Sequence, residues 1–509
     1  MNILLIYPRY PNTFWSFRHA LKLISKKASF PPLGLLTVAA MLPDGWNKKL
    51  VDMNVTALTD KDIKWADYVF ISAMVVQRES TNGVIARCKK LGVKVVAGGP
   101  LFSIDHDRFD NVDHMVLNEA EVTLPIFLED LGRGCPQRVY TSEERPGIED
   151  TPVPLWSLIN MKNYSSMNIQ YSRGCPFDCE FCDIIILNGH KPRTKNKVQM
   201  LAELDNLYHR GWRGGVFIVD DNFIGNKKKL KAEILPAIVE WMKKKDYPFA
   251  FSTEVSINLA NDEKLMKLMV TAGFDAVFIG IETPNEESLT ECNKLPNKGR
   301  DLKEMVKKIQ NHGLQVQGGF IVGFDSDPLS IFKSQISFIQ NSGIVTAMVG
   351  LLNAPRGTRL YKRLMSENRI IKGSSGDNTD CSLNFIPKMH YETLIKGYHH
   401  ILDTIYSPKH YYERVRTFLG EYRPYKRKGR ARVKLFHIKA FLSSVWFLGI
   451  KEKGRKYYWK LLASTLFRNP RSFPLVVALS IYGYHFRKVV EKYTSTPIVD
   501  PVLANDESL

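Results

Sequence analysis

Tyr171-Ser-Arg-Gly-Cys-Pro-Phe-Asp-Cys-Glu-Phe-Cys182 is the stretch that decides how this chain folds and what it can bind. It places Cys175, Cys179 and Cys182 at C-x3-C-x2-C spacing, and no fourth cysteine follows nearby. Thiolates are the usual ligands of iron–sulfur clusters, so this loop can hold one cluster and leave one iron open to another ligand. A structural zinc site normally has four protein ligands, and His190 could complete one here. The spacing favours the cluster.

The cysteine loop, with Phe181 between its last two thiols, resembles the signature of the radical S-adenosylmethionine (SAM) enzymes. In that family the open iron of a 4Fe-4S cluster binds SAM. Reductive cleavage of SAM then gives a 5′-deoxyadenosyl radical that takes hydrogen from an unactivated carbon. The resemblance implies that Cys175, Cys179 and Cys182 are the metal ligands. It also implies an electron donor, which would be a reductase, a ferredoxin or a flavodoxin.

Length and composition agree with a large intracellular enzyme. A chain of 509 residues with 44% hydrophobic content is long enough for two or three domains with real cores. Its seven cysteines are odd in number and cluster at one place, unlike a secreted disulfide framework. The first apolar run has no basic region before it, so we read it as a strand and expect no signal peptide. These features predict a reducing, cytoplasmic location.

The first part of the chain, residues 1–142, alternates short β-rich runs with helical patterns. Strands separated by such helices predict a doubly wound, Rossmann-like parallel sheet that places ligands at the carboxyl ends of its strands. No G-x-G-x-x-G follows the first strand, so a nicotinamide cofactor is not expected. The predicted strands are Ile3 to Tyr7, Lys49 to Val51, Tyr68 to Ser72, Val93 to Ala97 and His114 to Leu117.

This unit resembles the cobalamin-binding domain that precedes many radical SAM cores. Ser72, Gly98 and Gly99 lie where that domain has its Ser- and Gly-containing loops, which implies that they bind cobalamin. The loop after the first strand, residues 8–15, lacks the D-x-H-x-x-G motif that supplies a histidine to cobalt. We therefore expect no histidine ligand from this loop and read nearby His19 as an ordinary surface residue.

A linker at residues 143–164 leads into a second strand–helix repeat at residues 165–385. Six parallel strands with crossover helices resemble the partial (β/α)6 TIM-like barrel of radical SAM enzymes. In barrels of this kind the chemistry gathers at the carboxyl ends of the strands. The predicted strands are Met167 to Ser172, Val216 to Asp221, Phe249 to Glu254, Ala276 to Glu282, Gln315 to Val322 and Val345 to Leu352.

Polar and glycine residues follow these strands where SAM would bind. Carboxylates suit the ammonium and ribose diol of SAM, and a glycine-rich backbone suits its flat adenine. Each of these residues could instead cap a helix or end a strand. The candidates for cofactor binding are Asp220 and Asp221, which stand in place of the family's Gly-Gly-Glu, together with Glu254, Glu282, Gly318, Gly319 and Gly323.

The last part, residues 386–509, is predicted to be a helical and basic C-terminal domain. The whole chain carries a net charge of +19, and residues 421–470 hold fourteen Lys and Arg against two Glu. With its interleaved aromatic residues, this stretch predicts either a solvated helical face or contact with an anionic membrane surface. Nucleic acid is not expected, because no recognised nucleic-acid motif accompanies the charge. No apolar run approaches the roughly twenty residues that a membrane-spanning helix needs.

The tail resembles the extra domain of the radical SAM subgroup that includes the hopanoid methylases. The resemblance implies a cobalamin-dependent C-methyltransferase that acts on a hydrophobic substrate such as a hopanoid-type lipid. Its location would be cytoplasmic, with peripheral contact at the inner face of the membrane left open. Three alternatives remain: carbon–carbon coupling or cyclisation of a lipid, C-methylation of a peptide or antibiotic precursor, and a membrane-associated iron–sulfur electron-transfer module.

Overall fold

Two parallel sheets and a set of helices form the part of the chain that the computed structural model describes, residues 1–425 and 435–494. The first sheet, as predicted, contains parallel strands in the order β2-β1-β3-β4-β5-β6. A short sixth strand at its edge was not predicted, because two residues carry no readable period. The strands are β1 Asn2–Tyr7, β2 Asn47–Asp52, β3 Tyr68–Ser72, β4 Lys94–Gly98, β5 His114–Val116 and β6 Val139–Tyr140.

Helices cover both faces of this sheet, so its strands are buried on both sides. Along β1, Leu4 and Ile6 enter one apolar core while Ile3 and Leu5 enter the other. This explains why the strand reads as a continuous apolar run. The helices are α1 Arg18–Leu23, α2 Leu33–Met41, α3 Asp60–Trp65, α4 Arg78–Lys90, α5 Pro100–Asp105 and α6 Ala120–Gly132.

The second sheet is the predicted six-stranded partial barrel, with all pairings parallel in the order β14-β13-β12-β11-β10-β7. A small antiparallel pair, β8 Ser172–Arg173 and β9 Arg193–Thr194, flanks the cysteine loop. The barrel strands are β7 Ser166–Ile169, β10 Gly215–Ile218, β11 Ala250–Glu254, β12 Phe274–Glu282, β13 Gln315–Val322 and β14 Ala347–Leu351. The helices are α7 Ile184–Asn188, α8 Lys197–His209, α9 Lys227–Lys229, α10 Leu235–Lys244, α11 Glu263–Ala272, α12 Glu286–Glu291, α13 Leu302–Asn311, α14 Ile331–Ser342 and α15 Arg359–Ser366.

The described C-terminal residues are helical, as predicted, and they pack against the barrel. A π-helix, Val445–Lys451, continues the helix Leu435–Ser444. Part of the predicted basic run, residues 426–434, lies outside the described residues. No described helix is long and apolar enough to cross a membrane. The helices are α16 Tyr391–Tyr406, α17 Pro408–Glu421, α18 Leu435–Ser444, α19 Arg455–Arg468 and α20 Phe473–Thr494.

The open side of the barrel, between its edge strands β7 and β14, is covered by the segment after β1 together with α20. Asn168 of β7 donates a hydrogen bond to the carbonyl of Pro31 (3.1 Å). Trp15 reaches the other edge, where its indole N–H lies 2.9 Å from Sδ of Met348 on β14. Behind this segment, the ring of Phe14 stacks on Phe486 of α20 with ring centroids 4.2 Å apart. The first and last parts of the chain therefore complete the barrel wall together.

A continuous cavity of about 2320 Å³ runs through the molecule. Every second residue of each barrel strand lines it, from the amino ends at Ser166 and Gln315 to the carboxyl ends at Glu254 and Glu282. At one end it reaches the carboxyl edge of the first sheet, and at the other it reaches α18 and α20. The barrel lumen is thus open along its whole length and connects all three parts of the chain.

Candidate active site

The cysteine loop lies directly after β7, at the carboxyl end of the barrel. Cys179 is buried and Cys175 and Cys182 are half-buried, and Cys182 lines the cavity. Burial raises the pKa of all three thiols, and the nearby ammonium of Lys294 acts in the opposite direction. A bound cation would oppose the effect of burial in the same way, since thiolate is the ligand form. The loop thus lies at the carboxyl end of the barrel with Cys182 beside the lumen, and cluster binding by the three thiols stays a prediction.

The described residues do not favour a mononuclear zinc site. Within residues 1–425 and 435–494, no three His, Cys, Asp or Glu side chains form a group that could hold a single metal ion. His190, the candidate fourth zinc ligand, is exposed. A cubane cluster spreads its ligand sulfurs more widely than one ion does. The three cysteines therefore remain the predicted cluster ligands.

Asp220 and Asp221, which follow β10, hold the segment that leads into the cysteine loop. Asp220 accepts hydrogen bonds from the backbone N–H of Tyr171 (2.8 Å) and the hydroxyl of Ser172 (2.6 Å). Asp221 accepts from the N–H of Gly174 (2.8 Å) and the amide of Asn188 (2.9 Å). Burial raises the pKa of Asp220 to about 7. These contacts give both carboxylates a structural role, and of the two Asp221 also lines the cavity; SAM binding by either one stays a prediction.

The far side of the cysteine loop is held by the segment after β12 and by α15. The amide of Asn293 donates to the carbonyl of Asp178 (2.8 Å), and the N–H of Glu180 donates to the carbonyl of Cys292 (2.9 Å). Arg363 of α15 grips the Glu180 carboxylate through two nitrogens at 2.8 and 3.2 Å. Paired contacts of this kind fix both distance and angle. The loop is therefore anchored on both flanks before any cofactor binds.

Glu282 ends β12 in a left-handed conformation, with φ of 63°. A shift in strand register between Gly280 and Glu282 turns this carboxylate into the cavity, where it forms a 2.5 Å ion pair with Lys294. A Cβ at position 280 would lie 2.9 Å from the ammonium of Lys294, so glycine makes room for the pair. Backbone strain of this kind costs of order 1–3 kcal/mol and clusters at functional sites. Sequence reasoning named Glu282 but missed Lys294.

Glu254 ends β11 on the cavity wall, between the cysteine loop and the lumen. Burial raises its pKa to about 7, and the nearby carboxylates of Asp221 and Asp220 contribute to that rise. Within the described residues it makes no hydrogen bond that would stabilise the charged form. A carboxylate with these properties suits a cationic or hydroxylated ligand that arrives through the cavity.

The three glycines of the predicted adenine site have different surroundings. Gly319 lines the cavity, and a Cβ there would lie 2.9 Å from the ring of Phe278. A Cβ at Gly318 would instead meet Phe320 at 2.8 Å, and one at Gly323, where φ is 104°, would meet Leu394 of α16 at 3.2 Å. Packing thus accounts for glycine at 318 and 323. Gly319 alone of the three borders space that a flat ligand could fill.

The carboxyl edge of the first sheet faces the barrel across the cavity, and Ser72, Gly98 and Gly99 all line it. Gly99 has φ of 86°, and a Cβ there would lie 2.5 Å from Oγ of Ser72. A Cβ at Gly98 would lie 2.7 Å from the carbonyl of Val116. Strand ends that approach so closely form a cradle of backbone with little room for side chains. This geometry fits a large, flat cofactor with a nucleotide tail.

His19, which the sequence analysis read as an ordinary surface residue, is half-buried against the C-terminal helices. His19 hydrogen-bonds Asn12 through its ring (3.3 Å) and packs beside Tyr484 and His485 of α20. Desolvation lowers its pKa. The contacts of His19 therefore lie on the C-terminal helices, and it helps to close the open side of the barrel rather than to form the cradle.

Buried ion pairs join the first sheet to the cysteine loop, which sequence reasoning missed. Arg173, two residues before Cys175, pairs with Glu119 (2.9 Å) and Glu121 (2.7 Å), and Arg193 also pairs with Glu119 (2.6 Å). The two glutamates follow β5, where Glu119 precedes α6 and Glu121 lies in its first turn. A planar guanidinium that bonds carboxylates through several nitrogens fixes the orientation of the two segments that carry them. The cradle and the cysteine loop are thus tied to each other directly.

Trp15 projects into the lumen from the loop after β1. Its ring packs edge-on to Phe278 with centroids 5.4 Å apart, and 37% of the residue remains exposed to the cavity. Phe30 stands nearby in sequence and faces Phe217 of β10 at 5.3 Å. Both side chains line the cavity, so the lumen has an aromatic wall built partly by the first domain. In the sequence, the only sign of this wall is the presence of Trp15 and Phe30 in the segment between β1 and α2.

Comparison with known families agrees with this three-part division. Residues 23–128 match the family described as B12 binding domain, and residues 169–333 match the radical SAM superfamily. Residues 358–497 match a domain of unknown function, DUF4070.

Two relatives match nearly the whole chain. An uncharacterized methyltransferase of Synechocystis sp. is 41% identical over 490 residues, covering 96% of this chain and 91% of the relative. The hopanoid C-2 methylase of Rhodopseudomonas palustris is 33% identical over 478 residues, covering 92% of this chain and 89% of the relative.

A solved structure has the same overall fold. The radical SAM methyltransferase of Kitasatospora setae, with cobalamin and a 4Fe-4S cluster bound, aligns with a TM-score of 0.59 and 12% identity. The alignment covers 97% of this chain and all of that one. At this identity the likeness concerns the fold, and it extends to the C-terminal helices.

Proposed function

This chain belongs to the cobalamin-dependent radical SAM methyltransferases, and from that premise we propose that it methylates an unactivated carbon of a hydrophobic, hopanoid-type lipid. The relative that supports this substrate class is the hopanoid C-2 methylase, which matches nearly the whole chain. The other support comes from the cavity, whose lining is largely apolar beyond the polar residues at the strand ends. Such a lining suits a substrate with few polar groups.

The observation that carries the proposal is that one cavity joins the glycine cradle, the cysteine loop and the lumen. Two cofactors and a substrate must meet for this reaction, and a shared enclosed space lets them do so. Cys175, Cys179 and Cys182 would hold the 4Fe-4S cluster. When bound, the cluster with SAM supplies a radical that takes hydrogen from carbon, and cobalamin supplies the methyl group.

The remaining work falls to side chains that bind, orient and exclude water. Glu254 and Glu282 would present carboxylates to the amino acid and ribose parts of SAM, and Lys294 pairs with Glu282. Gly319 lines the same cavity and would lie beside the adenine. Trp15 and Phe278 then hold an apolar substrate in the lumen and keep water from it.

For the partners, we propose an electron donor of the ferredoxin, flavodoxin or reductase class, as in other radical SAM enzymes. The basic C-terminal residues support peripheral contact with the inner face of a membrane, where a hopanoid-type lipid would reside. The location would then be cytoplasmic, at the membrane surface.

Anaerobically reconstituted protein tests the radical chemistry. Under reduction the wild type should cleave SAM to 5′-deoxyadenosine, and Cys179→Ala should not. Cys135→Ala changes an exposed cysteine outside the loop and should behave as the wild type. An intact cluster without cleavage product would contradict the proposal.

Lipid profiling of a deletion strain tests the substrate. We expect polycyclic lipids that lack one methyl group, detected by mass. Unchanged polycyclic and membrane lipids, with a methyl group missing from another class of metabolite, would rule out the lipid.

A further inference from the structure

The C-terminal helices present a row of exposed apolar side chains, which we call the apolar stripe: Ile438, Leu442, Trp446 and Ile450. These residues are 47%, 60%, 50% and 49% exposed. They recur every four residues along α18 and the π-helix that continues it, so they share one broad side of the helical rod. Large apolar side chains scattered singly are ordinary on a protein surface, but an aligned row marks an interaction site.

The other side of the same rod is packed into the protein. Ala440, Ser444 and Leu448 are buried, and the hydroxyl of Ser444 lies 2.8 Å from that of Tyr458 on α19. The rod cannot rotate to hide the stripe without breaking this packing. The stripe is therefore a fixed feature of the surface.

Basic residues surround the stripe. Between residues 437 and 460 the sequence has one acidic residue, Glu452, and it already pairs with Lys488 of α20 (3.5 Å). The ammonium of Lys451 lies 5.1 Å from the ring of Trp446, so cation and aromatic ring are adjacent at the surface. The exposed basic residues are Lys439, Lys451, Lys453, Arg455, Lys456 and Lys460.

Apolar side chains with tryptophan, flanked by lysine and arginine, are the composition of helices that lie in the interface of an anionic bilayer. Each basic residue near such a surface contributes about 1 kcal/mol to the attraction. A soluble protein partner would be expected to bring an acidic surface as well as an apolar one. The four large apolar side chains of the stripe could insert below the lipid headgroups, and this favours a bilayer over a protein partner.

The stripe is continuous with the cavity. Ile438 is both the first residue of the stripe and part of the cavity wall, and its neighbours Phe441 and Phe473 line the wall behind it. From there the lumen leads past Trp15 to Glu254 and the cysteine loop. An apolar molecule could travel this path without crossing open water.

We propose that the apolar stripe docks on an anionic lipid bilayer and that the opening beside Ile438 is the port through which the lipid substrate enters. The port rests on the proposed function, because it presumes a lipid substrate. The docking does not. The two parts are therefore tested separately.

Vesicle flotation of the full-length reconstituted protein tests the docking. Wild type should bind vesicles of phosphatidylcholine mixed with phosphatidylglycerol, and bind pure phosphatidylcholine vesicles more weakly. The double variant Leu442→Gln/Trp446→Gln should reduce binding to the anionic vesicles at least about tenfold. The matched control is Val198→Gln/Leu329→Gln, two apolar residues that are 71% and 70% exposed on the barrel, and it should bind as the wild type.

Two results would overturn the docking. One is equal vesicle binding by the stripe variant and the wild type, or no binding by either. The other is unchanged vesicle binding with a loss of electron transfer from flavodoxin, which would make the stripe a protein-binding site.

Methylation of hopene tests the port, with hopene presented either in anionic vesicles or in detergent. Ile438→Trp places a larger side chain at the opening and should slow methylation at least about tenfold without loss of vesicle binding. Leu329→Trp places the same large side chain at an exposed position on the barrel, outside the stripe and the cavity lining, and should leave the rate unchanged. Equal rates for the two variants would overturn the port. If the wild type methylates hopene in neither form, the proposed substrate fails, while the flotation result still decides the docking.

Discussion

The two strand edges that face each other across the cavity solve different binding problems. The edge of the first sheet is built from glycine and backbone, with Gly98 and Gly99 pressed against Val116 and Ser72. The edge of the barrel is built from charge, with Glu254 and Glu282 on the cavity wall and Lys294 paired to Glu282. We expect the first edge to select its ligand by shape, and the second by charge. Each edge should therefore fail under a different kind of substitution.

The largest effect is expected at the charged edge. Glu282→Gln leaves the ammonium of Lys294 buried without its partner, which should lower the free energy of unfolding by about 3–5 kcal/mol. Urea titration of the apoprotein under anaerobic conditions measures this. The double variant Glu282→Leu/Lys294→Met removes both charges and should recover most of the loss. If the double variant is no more stable than the single one, the pair is not what holds this turn.

A smaller effect concerns Glu254 and depends on pH. Burial raises its pKa to about 7. Below that value the folded protein keeps a proton that the unfolded chain releases near pH 4.3, so the free energy of unfolding falls as pH rises between the two values. Glu254→Gln should remove this fall and be more stable than the wild type at pH 8, by up to about 3 kcal/mol.

At pH 4.5 or below, the Glu254→Gln variant and the wild type should have similar stability, because both then lack the charge. Exposed Glu240→Gln is the matched control and should follow the wild type at every pH. Urea titrations across this range decide the point. A variant that stays less stable than the wild type at pH 8 would show that the carboxylate is stabilised by contacts.

The glycine edge should respond to an added methyl group. Gly99→Ala combines a left-handed backbone with a contact to Ser72, and we expect a loss of about 2–3 kcal/mol together with poor retention of cobalamin. Gly92→Ala is the matched control, since φ there is also positive (72°) but nothing lies within 4 Å of the added Cβ. It should cost about 1 kcal/mol and keep its cobalamin. Absorbance spectra of the reconstituted proteins measure how much cobalamin each retains. Equal retention by the two variants would contradict the prediction that Gly99 helps to bind cobalamin.

The smallest effect is expected where the two regions meet at the surface. Arg356 pairs with Asp107 at 2.6 Å, and both side chains are substantially exposed. Arg356→Gln should therefore cost less than about 1 kcal/mol, and the cost should shrink further in high salt. Thermal unfolding at two salt concentrations measures it. A loss as large as that of Glu282→Gln would mean that this pair, and not the buried Arg173 pairs, joins the domains.

Apart from β6, the sequence predicts the strands of both sheets to within three residues, because each is a short apolar run bounded by turn residues. β13 is found at its predicted bounds, Gln315–Val322. The cysteine loop was equally accessible, since its three thiols are close in the chain and need no distant contact to converge. The order of the three domains also follows from sequence alone.

Contacts between distant parts of the chain were not predictable in the same way. Trp15 and Met348 are 333 positions apart, and no local pattern marks them as neighbours. The hydrogen bonds that Asp220 accepts from Tyr171 and Ser172 depend on how β10 lies beside β7, and the local sequence does not show them. The partner of Glu282 depends on a turn whose shape is set by a shift of strand register. Pairings of this kind are properties of the assembled barrel.

The seal between Phe14 and α20 also sets an order of events during synthesis. The ring N–H of His485 bonds the carbonyl of Phe14 (2.9 Å), across 471 positions of chain. On the ribosome, the early segment that carries Phe14 must wait for almost all of the remaining chain before it gains this partner. Contacts of such long range form late and slowly. Until α20 emerges, the flank of the nascent barrel beside Phe14 lacks these contacts.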